Sequence, residues 1–167
     1  MASSARHAEI VAAARSVLEE EGPSGLTMQA VAGRLGIRAP SLYKHVSGKA
    51  ELEAALAAEH FAELVQAGRR ARTLEGAFAA YRRHAIANDA LYRLTTEQPL
   101  PRDLLPEGLE DAAAAPLTRL LPDPDLARAA WAFAHGMIAL ELAGRFPPSA
   151  DLDAAWRAGA AAFDRTA

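Results

Sequence analysis

The chain contains no cysteine, which removes disulfides, thiol nucleophiles and thiolate metal sites and fits a reducing compartment. Aromatic residues make up only 6% of it, and β-branched residues are sparse, so strand-forming runs are missing. No stretch reaches the roughly 18 apolar residues that span a bilayer. The opening Met1-Ala2-Ser3-Ser4-Ala5-Arg6-His7 lacks the apolar centre of a signal peptide. The cytoplasm is therefore the expected location, with no membrane partner. There is no glycine-rich phosphate loop, dinucleotide fingerprint or nucleophile elbow, and the histidines at 7, 45, 60, 84 and 135 lack a metal-binding spacing. These absences argue against an enzyme and predict no cofactor and no catalytic or metal-ligating residue.

What the chain has in quantity is alanine, about a quarter of its residues, the composition of an all-α fold. Its 167 residues suffice for one domain, or for a small module continuous with a larger helical body. The formal charge of −3 argues against indiscriminate polyanion binding, but the charge is unevenly placed. From Thr27 to Lys49 stand Arg34, Arg38, Lys44 and Lys49 with no Asp or Glu, whereas the chain after Ala50 carries 12 basic and 17 acidic residues. A basic module precedes an acidic body.

Apolar spacing and breakers set the helices. Ile10, Ala14, Val17 and Leu18 predict a helix from about Arg6 to Glu21, with Ser3 or Ser4 as cap and Gly22-Pro23 as stop. Glu19-Glu20-Glu21 reads as its solvated end. Thr27 caps a second helix that buries Val31, Ala32 and Leu35, and Gly36 ends it in the left-handed conformation that glycine adopts at little cost. A short third helix, Pro40 to Val46, turns Leu42 and Val46 inward. A long helix is expected over about 50–71 and further helices over 74–87, 89–96, 107–121, 126–146 and 151–165, with proline loops at 99–106, 122–124 and 147–148.

Two short helices about a glycine, followed by a basic, acid-free, hydrogen-bonding exterior, form a helix-turn-helix able to enter a major groove. Gly22, Leu26-Thr27, Val31-Ala32, Leu35-Gly36-Ile37, Pro40-Ser41-Leu42-Tyr43, His45-Val46 and Gly48-Lys49-Ala50-Glu51-Leu52 resemble the N-terminal domain of TetR-family transcriptional regulators. The resemblance covers roughly Arg6 to Leu56. It implies that Thr27, Tyr43 and Lys49 contact phosphates, and that Gln29, Arg38, Pro40, Ser41, Lys44 and His45 lie at base edges or adjacent backbone. Arg38 or Lys44 on guanine, Gln29 on adenine and Pro40 on a thymine methyl are the sensible pairings. Met28 and Ala39 depart from the commoner family pattern, and Ala39 cannot hydrogen-bond through its side chain. A second reading packs Tyr43 between helices, makes His45 a partly buried cap and leaves Lys44 and Lys49 as solvated charges.

The family resemblance divides the chain into a DNA-binding domain over 1–50 and an effector-binding, dimerisation domain over 51–167. Trp131…His135-Gly136 resembles one C-terminal subtype of these regulators, named for its Trp-His-Gly segment. Trp131, His135, Ile138 and Leu142 share a helical stripe, read either as core or as pocket and interface, and Gly136 admits a close backbone. Tyr81, His84, Asn88 and Tyr92 form a second set at spacings of three and four, read either as pocket polar groups or as an exposed stripe. By family analogy the last two helices form the homodimer seam, with Ala139, Ala143, Ala155 and Ala158 permitting close approach. Two reading heads about a two-fold axis meet groove segments about 34 Å apart on a pseudo-palindromic double-stranded operator. The expected function is a ligand-responsive transcriptional regulator, a repressor with an unidentified small-molecule effector. The alternatives are a helical interaction protein that keeps the motif as scaffold, or a small all-α enzyme.

Overall fold

The computed structural model describes residues 2–164, with side chains from Ala5 onward. Every regular element among the described residues is helical: α1 Ala2–Gly25, α2 Met28–Arg34, α3 Ala39–Leu42, α4 Lys49–Gly68, α5 Leu74–Ala87, α6 Asp89–Thr96, a 3₁₀ turn Arg102–Leu104, α7 Leu109–Leu120, α8 Pro124–Leu142 and α9 Leu152–Asp164. The all-α expectation holds, as an N-terminal helix-turn-helix domain followed by a helical C-terminal domain.

The helix ends follow local chemistry. Gly22, at φ 72° and ψ −179°, breaks α1 where the sequence places its stop. The side chains of Ser3 and Ser4, expected to cap α1, lie outside the described residues. Thr27 Oγ1 accepts the Ala30 N–H at 3.1 Å, satisfying one orphan donor of α2. At the other end of α2, Gly36 takes φ 64°, its N–H donates to the Gly33 carbonyl at 3.0 Å and the Ile37 N–H to the Ala32 carbonyl at 3.0 Å. This is a Schellman closure, which needs a positive φ at its glycine.

A second such closure corrects the sequence reading of α8. Its end was expected at Phe146, before Pro147-Pro148. Instead Gly144 turns at φ 61°, with Gly144 N–H to Glu141 O at 3.0 Å and Arg145 N–H to Leu140 O at 2.9 Å, so α8 stops at Leu142. Likewise α4 stops at Gly68 rather than Ala71. There Pro116 of α7 occupies the space a side chain would need, 2.6 Å from where a Cβ would stand. Asp151 starts α9 by accepting the Ala154 N–H at 2.8 Å, and Arg165 lies outside the described residues.

The contacts group the chain into two compact units, one of residues up to His60 with Asn88–Glu107, the other of Phe61–Ala87 with Gly108 onward. In the first, Ile10, Ala14 and Leu18 of α1, Val31 of α2, Leu42 of α3, Leu52 and Leu56 of α4, and Leu91 of α6 are all essentially sealed from solvent. Each of the buried Val, Leu and Ile side chains contributes about 1.5–3 kcal/mol. Arg15 on α1 adds a polar tie across three helices. Its Nε donates to Glu19 at 3.0 Å, its Nη1 to Glu59 of α4 at 3.4 Å and its Nη2 to Asn88 Oδ1, at the start of α6, at 2.9 Å.

In the second unit, Phe78 of α5 meets Phe133 of α8 and Trp156 of α9 at ring separations of 5.7 Å. The Phe133 ring tip of α8 lies 2.1 Å from the position a Cβ would take on Gly159, so any side chain there would have to push the ring aside. Arg82 closes the cluster from outside. It grips Glu141 of α8 with two hydrogen bonds of 2.9 and 2.7 Å, reaches Asp153 of α9 at 2.5 Å, and lies 5.8 Å above the Trp156 ring. The Glu141 bonds, with Asp153 behind them, hold the Arg82 guanidinium charged above its ordinary range, and the Asp153 carboxyl is correspondingly lowered.

Candidate nucleic-acid interface

The reading surface is built on what Leu42 and Val46 bury. Both point inward, and although regular helix ends at Leu42, short of the expected Val46, the His45 and Val46 N–H groups both return to the Leu42 carbonyl at 2.8 and 3.0 Å. The intervening Tyr43, Lys44 and His45 are thereby thrown outward, and all three are exposed. Tyr43 is 56% exposed, which excludes packing between helices, and His45 is no buried cap. Arg38 precedes α3 in extended backbone at φ −83° and ψ 141°, with Pro40 at a position where its missing N–H costs nothing.

Of the nine sequence-predicted contact residues, Thr27, Gln29, Arg38, Pro40, Tyr43, Lys44, His45 and Lys49 are exposed and Ser41 is half-buried. Thr27 spends a lone pair on its helix cap, yet its O–H proton remains a donor. Ala39, the position that lacks a polar reader, is partly buried and packs against the core.

The charge pattern needs one correction. Arg34, counted with the basic face, is held by α1: its Nη1 donates to Glu20 at 2.7 Å and to Ser16 Oγ at 2.6 Å, while Nη2 also donates to Glu20. The hydrogen bond raises the Arg34 guanidinium and lowers the Glu20 carboxyl. Glu19 pairs with Arg15 within α1, and all three members of the acidic run stay exposed, so it remains a solvated helix end in which Glu20 also ties α1 to α2. Lys49 pairs with Glu53 at 3.3 Å. Arg38 and Lys44 have no ion-pair partner among the described residues.

The candidate effector residues are divided between the two units. Tyr81 and His84 belong to α5, whereas Asn88, at φ −130° and ψ 48°, interrupts the helix, and Asn88 and Tyr92 fall in the first unit. His84 is buried with Nδ1 3.8 Å from Glu63, and Tyr92 is buried with its ring 6.3 Å from that of His60. Neither Glu63 nor His60 was singled out from sequence. Trp131 is 50% exposed and so not a core residue, and it stacks on the half-buried His135 at 5.8 Å. Gly136 meets no neighbour within 4 Å of a notional Cβ, so the expected close approach is not made within the described chain.

Residues 10–56 match the family described as bacterial regulatory proteins, tetR family, and residues 74–163 the tetracyclin repressor-like C-terminal domain. The chain belongs to the TetR family. It is 32% identical over 152 residues, 81% of this chain and 69% of the relative, to an uncharacterized HTH-type transcriptional regulator of Mycobacterium tuberculosis (strain ATCC 25618 / H37Rv). Its fold is shared with a protein with unknown function from Rhodococcus sp. RHA1, at TM-score 0.76 and 24% identity, over 96% of this chain and 93% of that one. The same holds for TetR from Acinetobacter baumannii AYE, at TM-score 0.64 and 21% identity, over 94% and 93%. This TetR-family protein is a DNA-binding transcriptional regulator, and no helix among its described residues is long and apolar enough to cross a membrane.

Proposed function

We propose that the protein is a ligand-responsive repressor that acts in the cytoplasm as a homodimer on a pseudo-palindromic operator, with DNA reading in residues 1–50 and effector binding and dimerisation in 51–167. The observation that carries the reading is the pair of exposed cations, Arg38 and Lys44, flanking α3 without an acidic partner among the described residues. Thr27, Tyr43 and Lys49 anchor to phosphates, and Gln29, Arg38, Pro40, Ser41, Lys44 and His45 meet bases or the adjacent backbone. The effector is a small molecule in contact with some of Tyr81, His84, Asn88, Tyr92, Trp131 and His135, in a C-terminal half of the Trp-His-Gly subtype.

The dimer assignment is supported by what α8 and α9 leave open. Trp131 and Leu140 are 50% and 44% exposed, and Ala139, Ala143 and Ala158 also face solvent while Ala155 is half-buried. Exposed apolar side chains interleaved with small residues suit close helix packing by a second copy.

Fluorescence anisotropy on the DNA upstream of its own gene, at low salt, tests the reading. Lys44→Ala and Arg38→Ala are each expected to cost about 1–3 kcal/mol of binding, with a shallower salt dependence wherever a phosphate is no longer neutralised. Equal binding by wild type and Lys44→Ala would sink it.

A further inference from the structure

We propose that Glu51 is a positioning residue for DNA contact: its carboxylate fixes the Ser47–Lys49 turn in the form that presents Lys49 and the end of the reading helix to the duplex. The inference rests on the DNA-reading surface above and adds a residue to it.

No acid occurs between Thr27 and Lys49, and the first two that follow are Glu51 and Glu53. By charge alone, both should oppose a phosphate backbone. Glu53 is accounted for by its pair with Lys49. Glu51 instead folds back along the chain. Its Oε2 accepts the Ser47 N–H at 2.6 Å and the Ser47 hydroxyl at 2.8 Å, and its Oε1 lies 4.0 Å from His7 Nδ1 on α1. The Ser47 bonds, the backbone one first, hold the Glu51 carboxyl below its usual range.

Ser47 and Gly48 are the only residues between Val46 and α4, and they lie outside any helix. Val46 on one side and Leu52 on the other are buried, so both ends of the segment are fixed by the core. Its middle is fixed by Glu51. Freed of that bond, the Ser47 N–H would turn to water and Lys49, two residues on, would lose its set direction. Geometry and charge thus make opposite forecasts for removing the carboxylate.

The test uses the full chain and a duplex enriched by the wild-type protein from a random-sequence pool. Positioning predicts that Glu51→Ala binds about tenfold more weakly, and that log K falls less steeply with log salt, by about 0.9 for each phosphate no longer neutralised. Glu51→Gln, whose amide oxygen still accepts from Ser47, should return to within about twofold of wild type. Simple repulsion predicts the reverse sign, a tightening of about twofold for Glu51→Ala. Tightening, a Glu51→Gln as weak as Glu51→Ala, or a weakened variant with an unchanged salt slope would each overturn the proposal. Hydrogen exchange of the Ser47 amide reports separately, in free protein. Protection lost in Glu51→Ala and kept in Glu51→Gln supports the bond, and equal protection in all three refutes it, whether or not Lys44→Ala upholds the DNA reading.

Discussion

Arg34 and Lys44 look alike as sequence, two cations on a basic helix-turn-helix, yet the structure gives them different work. Arg34 is bound by Glu20 and Ser16, so Arg34→Ala should loosen α2 from α1 and leave the salt dependence of DNA binding unchanged, whereas Lys44→Ala should reduce that slope. Binding isotherms at four or five salt concentrations separate the two. The same pair sets a pH dependence. The Glu20 carboxyl is lowered in the folded state, so its contribution is present above the ordinary glutamate value of about 4.3. It is lost as pH falls through the folded-state value. Glu20→Gln should lower stability at neutral pH and converge on the parent as pH falls below about 4.3, which flattens the acid limb of the profile. The contact residues were legible because an inward Leu42 and Val46 dictate what points outward. The Arg34 tie was not, since Glu20 lies on another helix and nothing in local spacing joins them. The hold of Glu51 on Ser47 was not legible either, since helical spacing says nothing of a side chain that folds back on the turn before its own helix.

At the scale of the element, glycine conformation decided more than proline. Gly36 and Gly144 close α2 and α8 by the same pair of backward hydrogen bonds, and only the first was foreseen. At α8 the Pro147-Pro148 pair bars a helix without obliging it to run that far, and Gly144, three residues earlier, ends it first. Gly36→Ala should cost about 1–2 kcal/mol from the left-handed backbone alone, read as a drop in denaturation midpoint at constant m. Gly159 makes a harsher demand, since there the space itself is taken by Phe133. Gly159→Ala should destabilise by about 1–3 kcal/mol, and Phe133→Leu in the same chain should recover part of it. No spacing argument could have paired those two residues, because the ring and the missing side chain meet only after α8 and α9 have packed.

At the scale of the whole molecule, chain order and compactness part company. The first unit takes in α6, which follows α5 of the second, and a reading by segments has no means of anticipating such a return. The proposed seam on α8 and α9 predicts that Ala139→Glu, which puts a charge on an exposed small-residue position, shifts the protein to monomer in sedimentation while its helix content is unchanged. Operator affinity should fall with it, because two heads then bind independently rather than as one rigid pair. The Arg15 tie has a consequence for how variants combine. Glu59 and Asn88 are far apart in sequence but share one guanidinium, so their energies belong to a single thermodynamic cycle. Glu59→Gln and Asn88→Ala should each look costly in the parent and nearly silent once Arg15 is alanine. The non-additivity of that triple set, rather than the size of any one loss, is the signature by which the tie would be recognised in solution.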